Sequence, residues 1–171
     1  MSVVKVINKS YRDDEALIDL MNYGDKRDGC ELLYSFGVCD NRDDSLRNME
    51  FIRQLYGKEA CSKACHIVIS IFRNAYIKDK RDFQAMLELN VSSARAIGYE
   101  LGCIVYNKGY QNKIFIHNDT GTVHLHMIIN PVNYETGRML DNRIGLGQEL
   151  TYYLCQNYGF LQWERSSLCS V

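Results

Sequence analysis

Residues 115–138 read FIHNDTGTVHLHMIINPVNYETGR, and three of the chain's four histidines, His117, His124 and His126, fall within ten residues of it. Two runs of strand character, NKIFIHN (112–118) and VHLHMIINPV (123–132), are joined by DTGT, a turn-rich link. The pattern predicts an antiparallel hairpin. In a strand, residues i and i+2 share a face about 6.6–6.8 Å apart. His124 and His126 therefore project together, while Leu125, Met127 and Ile129 face the core. His117 closes the neighbouring strand, and cross-strand neighbours stand roughly 5 Å apart. A third imidazole can then join the pair. Three neutral imidazoles on a stiff sheet make a metal site with open positions, which a catalytic ion needs for substrate or water. A lone strand histidine is more often structural than a ligand, so the third histidine gives the metal reading its weight.

Outward from the hairpin, strands and helices alternate. VVKVI (3–7) reads as a strand, DDEALIDLMNYG (13–24) as a short helix with acidic start and glycine stop, and ELLYSFGV (31–38) as a second strand. DDSLRNMEFIRQLYGK (43–58) has helical spacing, and CHIVISIF (65–72) is a continuous apolar run of strand length. DKRDFQAMLELNVSSARAIGYELG (79–102) is the longest helical pattern, and GLGQELTYYLCQNYG (145–159) the last. The expected fold is α/β in the α+β sense: one mostly antiparallel central sheet flanked by helices, in a single domain over 1–171.

The chain's 171 residues suit one domain, and 46% apolar content supplies a core. No apolar run is long enough for a membrane span. The N-terminus has no apolar segment of signal-peptide type. Seven irregularly spaced cysteines suit mostly free thiols in a reducing compartment, so a cytoplasmic location is expected. A net charge of −1 lacks the basic excess of a strong nucleic-acid binder. Any positive surface must be local, with Lys5, Lys9 and Arg12, then Lys78, Lys80 and Arg81, then Arg138 and Arg143 as its material. Cys61-x3-Cys65-His66 has no second pair of zinc-site spacing. Gly145-Leu-Gly147 lacks the context of a nucleotide loop. Trp163 is either packing or a stacking platform.

The segment HNDTGTVHLHMIINPVNYETGR (117–138) resembles the signature H-x-D, then H-x-H, then N-x-x-N-x-x-T-G of the MobA/VirD2-type relaxases. These are mobilisation nucleases of plasmids and integrative elements, within the histidine-hydrophobe-histidine endonucleases. CHIVISI (65–71) is similar to the family's histidine-and-serine strand, and LIDLMNYGDKRDG (17–29) to its tyrosine-bearing helix. The resemblance spans roughly residues 3–160, in family order. It implies an antiparallel sheet flanked by helices and a site- and strand-specific DNA nickase acting at a transfer origin. His117, His124 and His126 would be the metal ligands and Tyr23 the nucleophile. Asp119 would orient the ligand set or accept a proton. Asn130 and His66 would support the site, and Lys26, Arg27 and Arg138 would follow the DNA. The chain departs from the family in one place: a gap-free alignment puts Leu20 at the tyrosine position, and Tyr23 is reached with a small gap. Tyr34 and Tyr11 are the fallback nucleophiles.

By ligand softness, imidazoles favour Zn, Ni, Cu or Fe, whereas the resemblance implies Mn or Mg as the working ion, with Zn or Ni able to bind in vitro. The implied partners are single-stranded DNA or an origin hairpin, together with relaxosome accessory proteins. Two other functions fit the same residues: a rolling-circle replication initiator or transposase of this nuclease class, and a non-catalytic metal- and origin-binding remnant. A His-x-His oxygenase of cupin type is disfavoured because Glu135 lies nine residues beyond His126.

Overall fold

The computed structural model describes residues 2–25, 29–72, 79–118, 122–161 and 163, leaving aside the side chains of residues 23–25 and 160. In chain order the elements are β1 (Val3–Val6), α1 (Asp14–Asp25), β2 (Cys30–Phe36), α2 (Arg42–Leu55), β3 (Cys65–Ile71), α3 (Lys80–Asn107), β4 (Asn112–His117), β5 (Val123–Ile129) and α4 (Arg143–Asn157), followed by a short 3-10 turn. The five strands form one sheet in the order β1-β3-β5-β4-β2, and every ladder in it is antiparallel. This is the α+β arrangement expected from the sequence. No helix among the described residues is long and apolar enough to cross a membrane.

The strand alternation divides the sheet into two unlike faces. Ile67, Ile69 and Ile71 of β3, Ile114 and Ile116 of β4, and Leu125, Met127 and Ile129 of β5 form the larger core with α3 and α4. Helix α3 contributes Ala94, Ile97, Leu101 and Val105, and α4 contributes Leu146, Leu150 and Leu154. Each fully buried Ile, Leu, Val or Met side chain among these is worth about 1.5–3 kcal/mol. The other face carries a smaller cluster, with Leu17, Leu20 and Met21 of α1, Met49 of α2, Phe115 and Ile128.

With less apolar area on that face, polar struts dock α2. The buried Lys113 ammonium donates to the Asp40 carbonyl at 2.7 Å and to Ser45 Oγ at 2.9 Å, at the start of the helix. Asn41 caps the same end, its side chain accepting from the backbone N–H of Asp43 and Asp44. The Asn130 amide donates to the Met49 carbonyl at 3.1 Å, in the middle of the helix.

Most boundaries shift by one to three residues from the sequence reading, and two of the differences have a clear physical reason. The spacing predicts that the long helix stops at Gly102, whereas α3 continues to Asn107. Gly102 is a packing glycine: a Cβ built there would lie 2.0 Å from Phe36 Cε2. The second hairpin strand ends at Ile129 rather than Val132, because Asn130 and Pro131 leave the ladder.

Candidate active site

All four histidines of the chain lie on the α1 side of the sheet. On β5, His124 and His126 alternate with core residues. On β4, His117 follows Phe115 on the same face, and on β3, His66 occupies the position between Cys65 and Ile67, both of which face the larger core. The ladder register decides who meets whom. His117 is directly opposite His124, and Phe115 is opposite His126, so His117 is diagonal to His126. His66 pairs with Ile128 and is diagonal to His126 from the other side. Diagonal neighbours lie about 7–8 Å apart at the backbone, within reach of imidazoles.

The rings close that gap. His66 and His126 stack with centroids 5.3 Å apart at 27°. His117 stands 5.8 Å from His126 and 6.4 Å from His124. His66 Nε2 is 3.1 Å from His126 Nδ1, and His66 Nδ1 is 3.2 Å from the Tyr11 hydroxyl. Burial, with Lys9 adding its charge, pushes the His66 pKa down to about 4, so His66 is neutral near pH 7. Burial raises the Tyr11 hydroxyl above its ordinary value. His117 and His126 are buried as well, at 5% and 8% exposure.

Imidazole nitrogens suit a divalent ion of the first transition row. At metal–nitrogen bonds of about 2.1 Å, rings sharing an ion stand roughly 5 Å apart, centre to centre. The His117 pairs are somewhat wider than that. Among the described residues no trio of His, Cys, Asp or Glu is drawn in to holding distance. The donor set fits such an ion in its chemistry, and side-chain rotation would have to supply the closure.

A cavity of about 390 Å³ opens beside the cluster. Lys9, Tyr11, Asp19, Leu20, His66 and His126 line it. Its Tyr11 wall is held firmly, because the Tyr11 carbonyl accepts from Lys63 N–H at 2.5 Å and the His66 carbonyl accepts from Ile7 N–H at 2.9 Å. Lys63 also pairs with Asp14 at 3.3 Å, at the start of α1. Leu20, the gap-free match to a family tyrosine, is 8% exposed and faces this cavity.

The remaining expected site residues divide by place. Tyr23 lies on α1, and its side chain is outside the described ones, as are Asp119, Lys26 and Arg27 entirely. Asn130 is fully buried and is fastened by its amide to Met49 and to Gln111 Oε1 at 2.9 Å, which makes it a strut under α2. Arg138 is exposed, in the turn beyond the end of β5 opposite to His124. Asn133 organises that turn, its side-chain oxygen accepting from the N–H of Glu135 and Thr136.

Tyr34 does not reach the histidines. A bulge between Leu32 and Tyr34 turns its ring to the α3 face, where it packs on Tyr99 at 5.5 Å. Cys65 and His66 point to opposite faces of β3, so they cannot share an ion. Trp163 is a packing residue whose indole N–H donates to the Tyr158 carbonyl. Sequence reasoning missed Tyr11 as a partner of His66 and named it only as a spare nucleophile. Nothing in the local pattern around Tyr11 marks a contact made across 55 residues of chain.

Comparison with known proteins adds an independent line. The family model described as Relaxase, MobA/VirD2-like, nuclease domain matches residues 17–160. Protein rlx of Staphylococcus aureus is 28% identical over 100 residues, which is 58% of this chain and 26% of that protein. The match therefore spans about a quarter of that relative's length. No solved structure matches the chain.

Proposed function

Since the chain belongs to the MobA/VirD2-like relaxase nuclease-domain family, we propose that it nicks one strand of DNA at a specific transfer-origin sequence, through a tyrosine that becomes covalently attached to the 5′ phosphate. The observation that carries this reading is the gathering of His117, His124 and His126 on one sheet face beside a cavity walled by α1. His117, His124 and His126 would hold a divalent ion, Mn or Mg for nicking, with Zn or Ni also able to bind. When bound there, such an ion would supply Lewis-acid stabilisation of the charge that develops on the phosphate.

The chain's own residues supply the rest. Ala16, Asp19 and Leu20 of α1 line the cavity. Position 23 completes the i, i+3, i+4, i+7 row that begins at Ala16. Tyr23, in the segment similar to the family's tyrosine-bearing helix, is the proposed nucleophile. Its oxygen forms the new bond to phosphorus, the bond to the 3′ oxygen breaks, and that oxygen leaves and takes a proton from solvent to become a 3′ hydroxyl. The phenol's proton goes to a base, for which Asp119 is the candidate. The phosphotyrosine keeps the energy of the broken ester, so the same site can rejoin a strand without ATP. Single-stranded or hairpin DNA would be the substrate, with Lys26, Arg27 and Arg138 available to phosphates. Accessory proteins at the origin and a cytoplasmic setting belong to the same reading.

The test is direct. The protein is incubated with end-labelled single-stranded origin oligonucleotides and Mn²⁺, and the covalent adduct is isolated and its peptide sequenced. The expected attachment is at Tyr23, lost in Tyr23→Phe and with chelator. Attachment at Tyr11 would move the nucleophile to the other wall of the cavity. Ion binding without an adduct on any origin would favour the non-catalytic, origin-binding reading.

A further inference from the structure

We infer that Tyr11 and His66 are a positioning pair for His126: they set which of its ring nitrogens carries the proton, and so which one is presented to an ion. The inference rests on the metal reading above and deepens it. It starts from the occupancy of His66. Tyr11 engages its Nδ1 at 3.2 Å, and His126 engages its Nε2 at 3.1 Å. An imidazole engaged by protein groups on both nitrogens has no lone pair to give a metal. His66 is thereby taken out of the ligand set, although it is stacked on His126.

Counting protons gives the chain its direction. His126 faces His66 with Nδ1, so Nε2 is the nitrogen through which it would coordinate. A neutral imidazole coordinating through Nε2 carries its one proton on Nδ1. That N–H donates to His66 Nε2, which must accept. His66 then holds its own proton on Nδ1 and donates it to the Tyr11 oxygen. The opposite direction, Tyr11 to His66 to His126, would place the His126 proton on Nε2, the form that cannot coordinate there.

The arrangement has the logic of the carboxylate or carbonyl that usually sits behind a metal-bound histidine and fixes its tautomer and ring plane. Here a second histidine fills that place, and a phenol fixes the histidine in turn. The phenol is itself anchored, because the Tyr11 carbonyl accepts from Lys63 N–H and Tyr11 is only 3% exposed. A freely moving side chain could not impose a direction, whereas one held by backbone and burial can.

The experiment uses the full chain labelled with ¹⁵N-histidine. Long-range ¹H–¹⁵N correlation spectra report the tautomer of each ring without any ion, and calorimetry with Zn²⁺ reports affinity and stoichiometry. In the metal-free wild type, His126 is expected as the Nδ1–H form. Tyr11→Phe, close to isosteric, removes the acceptor behind His66. It should shift His126 toward the Nε2–H form and weaken Zn²⁺ binding by about ten- to a hundredfold with the stoichiometry kept. His66→Phe should do the same more completely, and His66→Gln, whose amide oxygen can take the place of Nε2 as acceptor, should restore both readouts. A wild type with His126 as Nε2–H, or a Tyr11→Phe protein with unchanged tautomer and affinity, overturns the pair. A wild type that shows the expected tautomers yet binds no ion upholds the pair and removes the metal reading instead.

Discussion

His117 and His124 face each other directly across the β4–β5 ladder, with ring centroids 6.4 Å apart. Because side chains alternate faces, a slip of one residue would send one of the two to the α3 core. The pairing of the cluster and the packing of the larger core are thus fixed by one register. Replacing His117 by Phe keeps the strand and its burial but removes a nitrogen donor. Mn²⁺ binding should fall at least tenfold by calorimetry, while the far-ultraviolet dichroism stays that of the wild type. An unchanged affinity would take His117 out of the ligand set.

Asn130 permits a sharper separation of support from chemistry. Its amide joins α2, through Met49, to the loop before β4, through Gln111. Asn130→Ala would leave the Met49 carbonyl and the Gln111 side chain without this partner in a buried setting. Such loss costs about 1–3 kcal/mol, read as a lower midpoint in urea unfolding. Below that midpoint, ion affinity should match the wild type, since Asn130 lies just past the end of β5, four residues and roughly 13 Å of extended chain from His126. A loss of affinity in the folded variant would give Asn130 a part in the site itself.

Much of this architecture is written in local pattern. The period-2 alternation of Val123–Ile129 announces both its core face and its histidine face, and the end signals of α1 and α2 place those helices to within a few residues. What the pattern cannot carry is contact between distant segments. Gly102 reads as a stop because glycine disfavours helix, yet its missing side chain is what admits Phe36. Tyr34 reads as one more inward or outward strand residue, and only the bulge against β4 sends it to α3. Tyr11 lies in an irregular segment where periodicity says nothing, so its bond to His66 is visible only in three dimensions.

The glycine is testable in its own right. Gly102→Ala should raise helix propensity by up to about 1 kcal/mol, but its methyl would overlap the Phe36 ring. Overpacking of this kind costs about 1–3 kcal/mol, so the net expectation is a lower melting temperature. Phe36→Leu alone should also destabilise, by leaving a cavity. Combined, the two changes should be less harmful than their sum, because each relieves the other. Strict additivity in thermal unfolding would show that the contact is not what holds glycine at this position.

Cysteine reactivity probes the same layering from outside. Cys65 faces the larger core at 1% exposure, and burial pushes its thiol up to about 11. Only the thiolate attacks an alkylating reagent. At pH 8, three pH units below that value, roughly one Cys65 side chain in a thousand is ionised, and even that fraction is shielded from reagent. Cys39 is exposed, before α2. Iodoacetamide at pH 8 should therefore label Cys39 within minutes and leave Cys65 unmodified until the protein is unfolded in urea, as peptide mass spectrometry would read. Rapid labelling of Cys65 in the native protein would mean that β3 opens to solvent on its α3 face. A strand that opens there could not hold His66 in register behind His126.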